Sequence, residues 1–148
     1  MKLRSHVLGS LIAVTSVFAL ASPADAARLD GADHGGRPLT AALSGANEVP
    51  PRPATQTGFT AITLNQGQGE VCYDITLSGI IGTVVAAHIH VGVAGVNGPI
   101  VVPLPPLSGC VSADPQLIKQ IRHNPDAYYV NVHTTTFPGG AVRGQLTK

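Results

Sequence analysis

The chain has 148 residues, of which 11% are charged, and a formal net charge of +1. So sparse and balanced a charge gives no electrostatic footprint for nucleic acid and no basic cluster for an anionic membrane surface. The length suits one domain with one core.

The N-terminus reads as a cleavable signal peptide over residues 1–26. Lys2 and Arg4 supply the positive start, Val7 to Leu20 the apolar stretch, and Ala24-Asp25-Ala26 the small-x-small site before the cut. The apolar stretch runs about 14 residues, short of the roughly 20 that span a bilayer. The leader holds Lys2, Arg4 and Asp25, so its removal takes the whole-chain charge of +1 to zero. The expected location is secreted, extracellular or in the cell envelope, with no membrane attachment after cleavage. Residues 27–38 are polar and Gly-rich, an expected flexible segment.

From Leu39 onward, short alternating runs are separated by Gly, Pro and Asn, which predicts an all-β fold, a Greek-key sandwich or barrel, over 39–148. Leu39 to Leu43 is the first strand, and a loop around Asn47-Glu48-Val49-Pro50-Pro51 follows. Gly58 to Asn65 and Glu70 to Leu77 form a pair joined at Gln66-Gly67-Gln68-Gly69, with Val71, Tyr73, Ile75 and Leu77 facing the core. Val84 to Val91 places Val85, Ala87, Ile89 and Val91 inward, with His88 and His90 outward. Ile100 to Leu104 is a short strand ended by Pro103, Pro105 and Pro106. One short helix is predicted between Asp114, its N-cap, and Asn124, with Leu117, Ile118 and Ile121 as its apolar stripe. Tyr128 to Thr135 returns to strand with Val130 and Val132 inward and Asn131 and His133 outward, and Ala141 to Thr147 is the last strand.

Cys72 and Cys110 both follow the leader. In an oxidising compartment a disulfide is the expected state, with two buried thiols as the alternative; the bridge would close a loop of about 38 residues and stabilise by roughly 3–4 kcal/mol through loss of unfolded-chain entropy. Of the histidines, His34 lies in the flexible segment and His123 at the helix C-terminus, where the dipole favours it. His88 and His90 sit two apart on one strand, with Cα atoms about 6.6 Å apart on one face. If the strand of His133 is a neighbour, three imidazoles meet on one patch. A three-nitrogen site with open positions suits copper, with zinc as the alternative.

Four motifs in order resemble a known module. Asn47-Glu48-Val49-Pro50-Pro51, Ala87-His88-Ile89-His90 with Gly92, Gly95 and Gly98-Pro99, Tyr129 to Thr134, and Pro138-Gly139-Gly140 with Arg143-Gly144-Gln145 together look like a CHRD domain. That module is named after chordin and is common in exported bacterial proteins; the resemblance implies a Greek-key β-sandwich. Chordin's own signalling role does not transfer to a free-standing domain. A more distant likeness is to copper–zinc superoxide dismutase, which has a His-x-His on a strand, a later copper-ligating histidine and a further arginine. The matching positions are His88, His90, His133 and Arg143. The zinc-binding loop and the metal-bridging histidine have no counterpart here.

Other chemistry fits poorly. There is no Gly-x-Ser-x-Gly, and Glu48 suits a structural ion pair with Arg143 better than a general acid. Arg143 has a second reading, attraction of an anion to a metal. The leading expectation is a non-catalytic extracellular module that binds a protein or small molecule and holds copper. The rival is a copper-dependent redox enzyme, dismutase-like or oxidase-like.

Overall fold

The computed structural model describes residues 38–105 and 107–148. The expected signal peptide, and the N-terminal segment apart from Pro38, lie outside the described residues.

Alternating residues produce eight strands: β1 (Leu39–Ser44), β2 (Thr57–Asn65), β3 (Glu70–Ser78), β4 (Val84–Val91), β5 (Ile100–Pro103), β6 (Ser108–Ser112), β7 (Tyr128–Thr134) and β8 (Val142–Gln145). The helix α1 (Pro115–His123) lies between β6 and β7. The strands form one antiparallel sheet in the order β5-β4-β7-β8-β1-β2-β3-β6. This is the expected all-β barrel with one short helix. It stops just short of closure, because β5 and β6 are edges and do not pair with each other. The connections β3–β4 and β5–β6 both pass between the two ends of this strand order. The second also stitches the ends together. Leu104 N–H donates to the Ala87 carbonyl at 2.9 Å, Ile75 N–H donates to the Leu107 carbonyl at 2.8 Å, and the Tyr73 hydroxyl donates to the Pro105 carbonyl.

The barrel interior is the apolar core. Val71, Tyr73 and Ile75 of β3 face it as their alternation requires, with Ile62, Ile89, Val130 and Val132 from the neighbouring strands. The helix closes one end with Ile118 and Ile121, both fully buried. Its start follows from capping: Asp114 Oδ1 accepts from the N–H groups of Gln116 and Leu117 at 2.6 and 3.2 Å, and Pro115 occupies the first turn, where no N–H is needed.

Three features depart from the sequence pattern. β6, Ser108–Ser112, has no apolar alternation; its place is set by pairing with β3, which puts Cys110 directly opposite Cys72. The two form the expected disulfide, with Cα atoms 4.0 Å apart. Val85, expected inward, is exposed. The β4–β7 register shifts between Val84 and Ala86, so two residues of β4 face one of β7, and this bulge turns Val85 outward while Val84 packs on the core. Asn131, expected outward, is only 2% exposed. It is on the outer face, but that face is covered by the loop after β1, which begins in the 3-10 turn Gly45–Asn47 and carries Glu48.

Candidate metal centre

β4 and β7 are antiparallel neighbours, with Ala86 opposite His133, His88 opposite Asn131 and His90 opposite Tyr129. His88, His90 and His133 therefore share the outer face, with His133 diagonal to His88. Side chains at such positions are within reach of one another. His88 Nδ1 and His133 Nε2 are 3.1 Å apart, and the ring centroids of His88 and His90 are separated by 5.6 Å. One nitrogen from each of the three rings falls within 4.8 Å of the others. Two ligands of a tetrahedral ion with bonds of about 2.0–2.1 Å stand roughly 3.3 Å apart. The His88–His133 pair is already at that spacing, and the widest separation closes by a displacement on the scale of a side-chain rotation.

The backbone orients two of the rings. His90 Nδ1–H donates to the Gly98 carbonyl at 2.9 Å, and His133 Nδ1–H donates to the Pro138 carbonyl at 3.0 Å. Each bond fixes the tautomer that leaves Nε2 with its lone pair directed into the cluster, the arrangement metal-binding histidines use. His90 Nε2 is buried and has no hydrogen-bond partner in the protein. Buried polar atoms are normally paired, and an ion would satisfy this one. His88 Nδ1–H donates to His133 Nε2; to hold an ion through Nδ1, His88 would take its other neutral tautomer, with the proton on Nε2. His90 is nearly buried while His88 and His133 are half-buried, so the cluster opens to solvent on their side.

All three imidazoles have pKa values held below the ordinary value. Burial is the largest cause in each; for His88 the neighbouring His133 and His90 add to it, while the Gly98 and Pro138 carbonyls partly offset it for His90 and His133. The rings are therefore neutral at neutral pH, as coordination requires.

Behind the cluster lies a buried ion pair. Arg143, 3% exposed, donates from Nε to Glu48 Oε2 at 3.2 Å, from Nη1 to the Val96 carbonyl at 3.2 Å, and from Nη2 to Asn97 Oδ1. Asn97 Nδ2 in turn donates to the Val49 carbonyl at 3.0 Å. The pair thus ties the loop of Glu48 to the loop that carries Gly98. The guanidinium also lies 4.4 Å from the ring centroid of Tyr129, and that ring stacks on His90 at 4.8 Å. The Tyr129 hydroxyl accepts from Gly98 N–H at 3.1 Å. Burial raises the Glu48 pKa, and Arg143 opposes the rise.

The residues expected from the sequence thus fall into two groups. His88, His90 and His133 come together. Glu48 and Arg143 meet each other rather than the ion site, and the Arg143 donors are turned into the loops, so the guanidinium is not presented to an anion in solvent. His123 lies on α1, away from the cluster, and His34 is outside the described residues. Sequence reasoning missed Tyr129 as the stacking partner, Asn97 as the loop tie, and the two orienting carbonyls. Backbone acceptors leave no signature in residue type. The glycine did leave one: a Cβ on Gly98 would sit 1.6 Å from the Val91 carbonyl oxygen, so no larger residue fits there.

Gly140 is constrained in a similar way. It has φ of +129°, and a Cβ there would meet Glu48 Oε2 at 2.6 Å. Gly140→Ala is expected to lower stability by about 1–3 kcal/mol, from backbone strain plus displacement of the carboxylate. A thermal melt that matches the parent would show that the Glu48 side chain gives way freely.

No curated protein and no solved structure matches the chain, so the expected likeness to copper–zinc superoxide dismutase has no support. A family model does match. The CHRD domain model covers residues 39–146, nearly the whole described barrel, with all three histidines and the Glu48–Arg143 pair inside it, and the chain belongs to the CHRD domain family.

Proposed function

We propose that this is an exported CHRD domain that holds a copper ion on His88, His90 and His133 and acts as a non-catalytic module for an extracellular protein or small molecule. The observation that carries the metal reading is the unpartnered, buried His90 Nε2, which faces two further imidazoles with nitrogens inside 4.8 Å. Three nitrogen donors suit copper(II) or zinc(II), and at equal geometry copper(II) binds more tightly. Export is supported by the signal-peptide pattern of the sequence and by the Cys72–Cys110 bridge, a bond that persists in oxidising compartments. Among the described residues no helix is long and apolar enough to cross a membrane.

The test is calorimetric titration with Cu(II) and Zn(II). The parent is expected to take one ion, copper more tightly than zinc. The His88→Ala/His90→Ala variant is expected to bind at least about 100-fold more weakly, since two of three ligands are gone. No binding by the parent, or equal binding by the variant, sinks the site. The rival reading, a copper-dependent redox enzyme, is decided by superoxide and oxidase assays on the copper-loaded protein. The buried engagement of Arg143 favours the non-catalytic reading, because its charge is directed at Glu48 rather than at an incoming anion.

Proton competition sets the pH dependence. An unfolded imidazole takes up its proton near pH 6.5, whereas these three do so at lower pH. Metal affinity should therefore hold down to about pH 6.5 and fall only below it. In the metal-free protein the unfolded state binds more protons in the same window. Stability is then fully present above pH 6.5 and is lost as pH drops toward the depressed folded values. Urea titrations across that window check the sign; a metal-free protein that gains stability on acidification there would overturn it.

A further inference from the structure

Folding gathers cations that the sequence scatters. Of the lysines and arginines in the described residues, Arg143 pairs with Glu48, and Arg52 lies over the Phe137 ring and adds to the positive field on Glu48. All the others, Lys119, Arg122 and Lys148, line a single cavity of about 300 Å³ together with His123 and Gln66. No carboxylate side chain lines it, and among the described residues none of these cations is in an ion pair. Lys119, Arg122 and His123 stand at i, i+3 and i+4 on α1 and are exposed, while Ile118 and Ile121 are buried. Lys119 and Arg122, like charges three residues apart, repel each other. The helix dipole accounts for Arg122 and His123 in the last turn. It does not account for Lys119, which precedes that turn, or for Lys148, which arrives from beyond β8. Gln66 comes from a third place, the turn between β2 and β3.

We propose that this cavity binds the phosphate group of a small soluble ligand. A guanidinium fork, two point-like ammonium charges and an amide, brought from three elements, suit a multiply charged tetrahedral oxyanion whose oxygens point in several directions. The surroundings argue against larger partners. None of the exposed large hydrophobic residues lines the cavity, so a membrane has nothing to bury beside its headgroups. No Phe, Tyr or Trp lines it either, so for nucleic-acid bases it offers only the His123 ring and the Arg122 plane rather than a row of stacking platforms. The site stands apart from His88, His90 and His133, which are on β4 and β7, and does not depend on the metal reading.

Inorganic pyrophosphate is the probe, followed by amide chemical shifts of the protein at low ionic strength. Saturable shifts are expected at Gln66, at residues 119–123 and at Lys148, with affinity dropping severalfold as salt screens the charges. Lys119→Glu/Arg122→Glu should weaken binding by at least about tenfold, and Lys119→Gln/Arg122→Gln by less, since neutral replacements remove attraction without adding repulsion. Both are exposed positions, and far-UV circular dichroism verifies their fold. The His88→Ala/His90→Ala variant should bind pyrophosphate like the parent, which separates this site from pyrophosphate held through a metal. Shifts that fail to saturate, that map elsewhere, or that survive charge reversal overturn the proposal. So does sedimentation with phosphatidic acid vesicles that pyrophosphate does not compete away, which would make the face a membrane contact.

Discussion

Glu48→Ala is expected to destabilise the domain by about 3–5 kcal/mol, because it leaves the Arg143 charge buried without its partner. The carboxylate and the guanidinium are 2% and 3% exposed, so water cannot replace the lost contact without the covering loop opening. Arg143→Met should cost less than Glu48→Ala, since Glu48 can take a proton, as the direction of its pKa already favours. Combining Arg143→Met with Glu48→Gln should recover part of the loss, because neither buried charge remains. Urea unfolding of Glu48→Gln, Arg143→Met and their combination measures the cycle, and a loss below about 1 kcal/mol for Glu48→Ala would place the pair in the class of solvent-exposed bridges. A second readout follows from the connection through Asn97 and Val96 to Gly98. Loosening that loop frees the carbonyl that orients His90, and loss of such a supporting contact typically weakens metal binding by about 10–100-fold. The Glu48→Gln variant, which keeps a hydrogen-bond acceptor for Arg143, should retain more affinity than Glu48→Ala.

Removing the disulfide is the second large effect. Cys72→Ser/Cys110→Ser opens a loop with a sequence separation of 38 residues. In the chain-entropy account this costs about 4 kcal/mol at 25 °C. Its consequence for the ion site should be small. β3 and β6 lie at one end of the strand order and β4 and β7 near the other, so copper affinity measured well below the melting temperature should match the parent. A variant that loses stability and affinity together in folded protein would show that the two ends of the sheet are coupled.

The sequence was most informative where one side of a strand faces the core. The alternation in β3 and the His-Ile-His run in β4 assign faces because a single-residue slip would bury polar groups. The disulfide was legible from compartment chemistry alone. Pattern reading failed where tertiary structure overrides the period. Val85 reads as inward until a bulge on β4 shifts the register. β6 leaves no mark in the pattern, because an edge strand held by a disulfide and by β3 needs no apolar face. Asn131 reads as solvated because nothing in the local sequence shows that the loop of Glu48 folds across it. The candidate site was legible as three residue types on compatible faces. Their orientation was not, since it depends on the carbonyls of Gly98 and Pro138, and any residue has a carbonyl.

A barrel that stops short of closure has two unpaired rims, and rims are where one folded copy can template onto the next. Here both are blunted. Pro103 sits in β5 and has no N–H to offer an incoming strand. β6 is five residues long and is covalently anchored at its centre through Cys110. The linker between them runs across the gap with its own backbone bonded to β3 and to β4. At high concentration this domain should resist growth into strand-paired filaments while the Cys72–Cys110 bond is intact, and become prone to it once that bond is reduced.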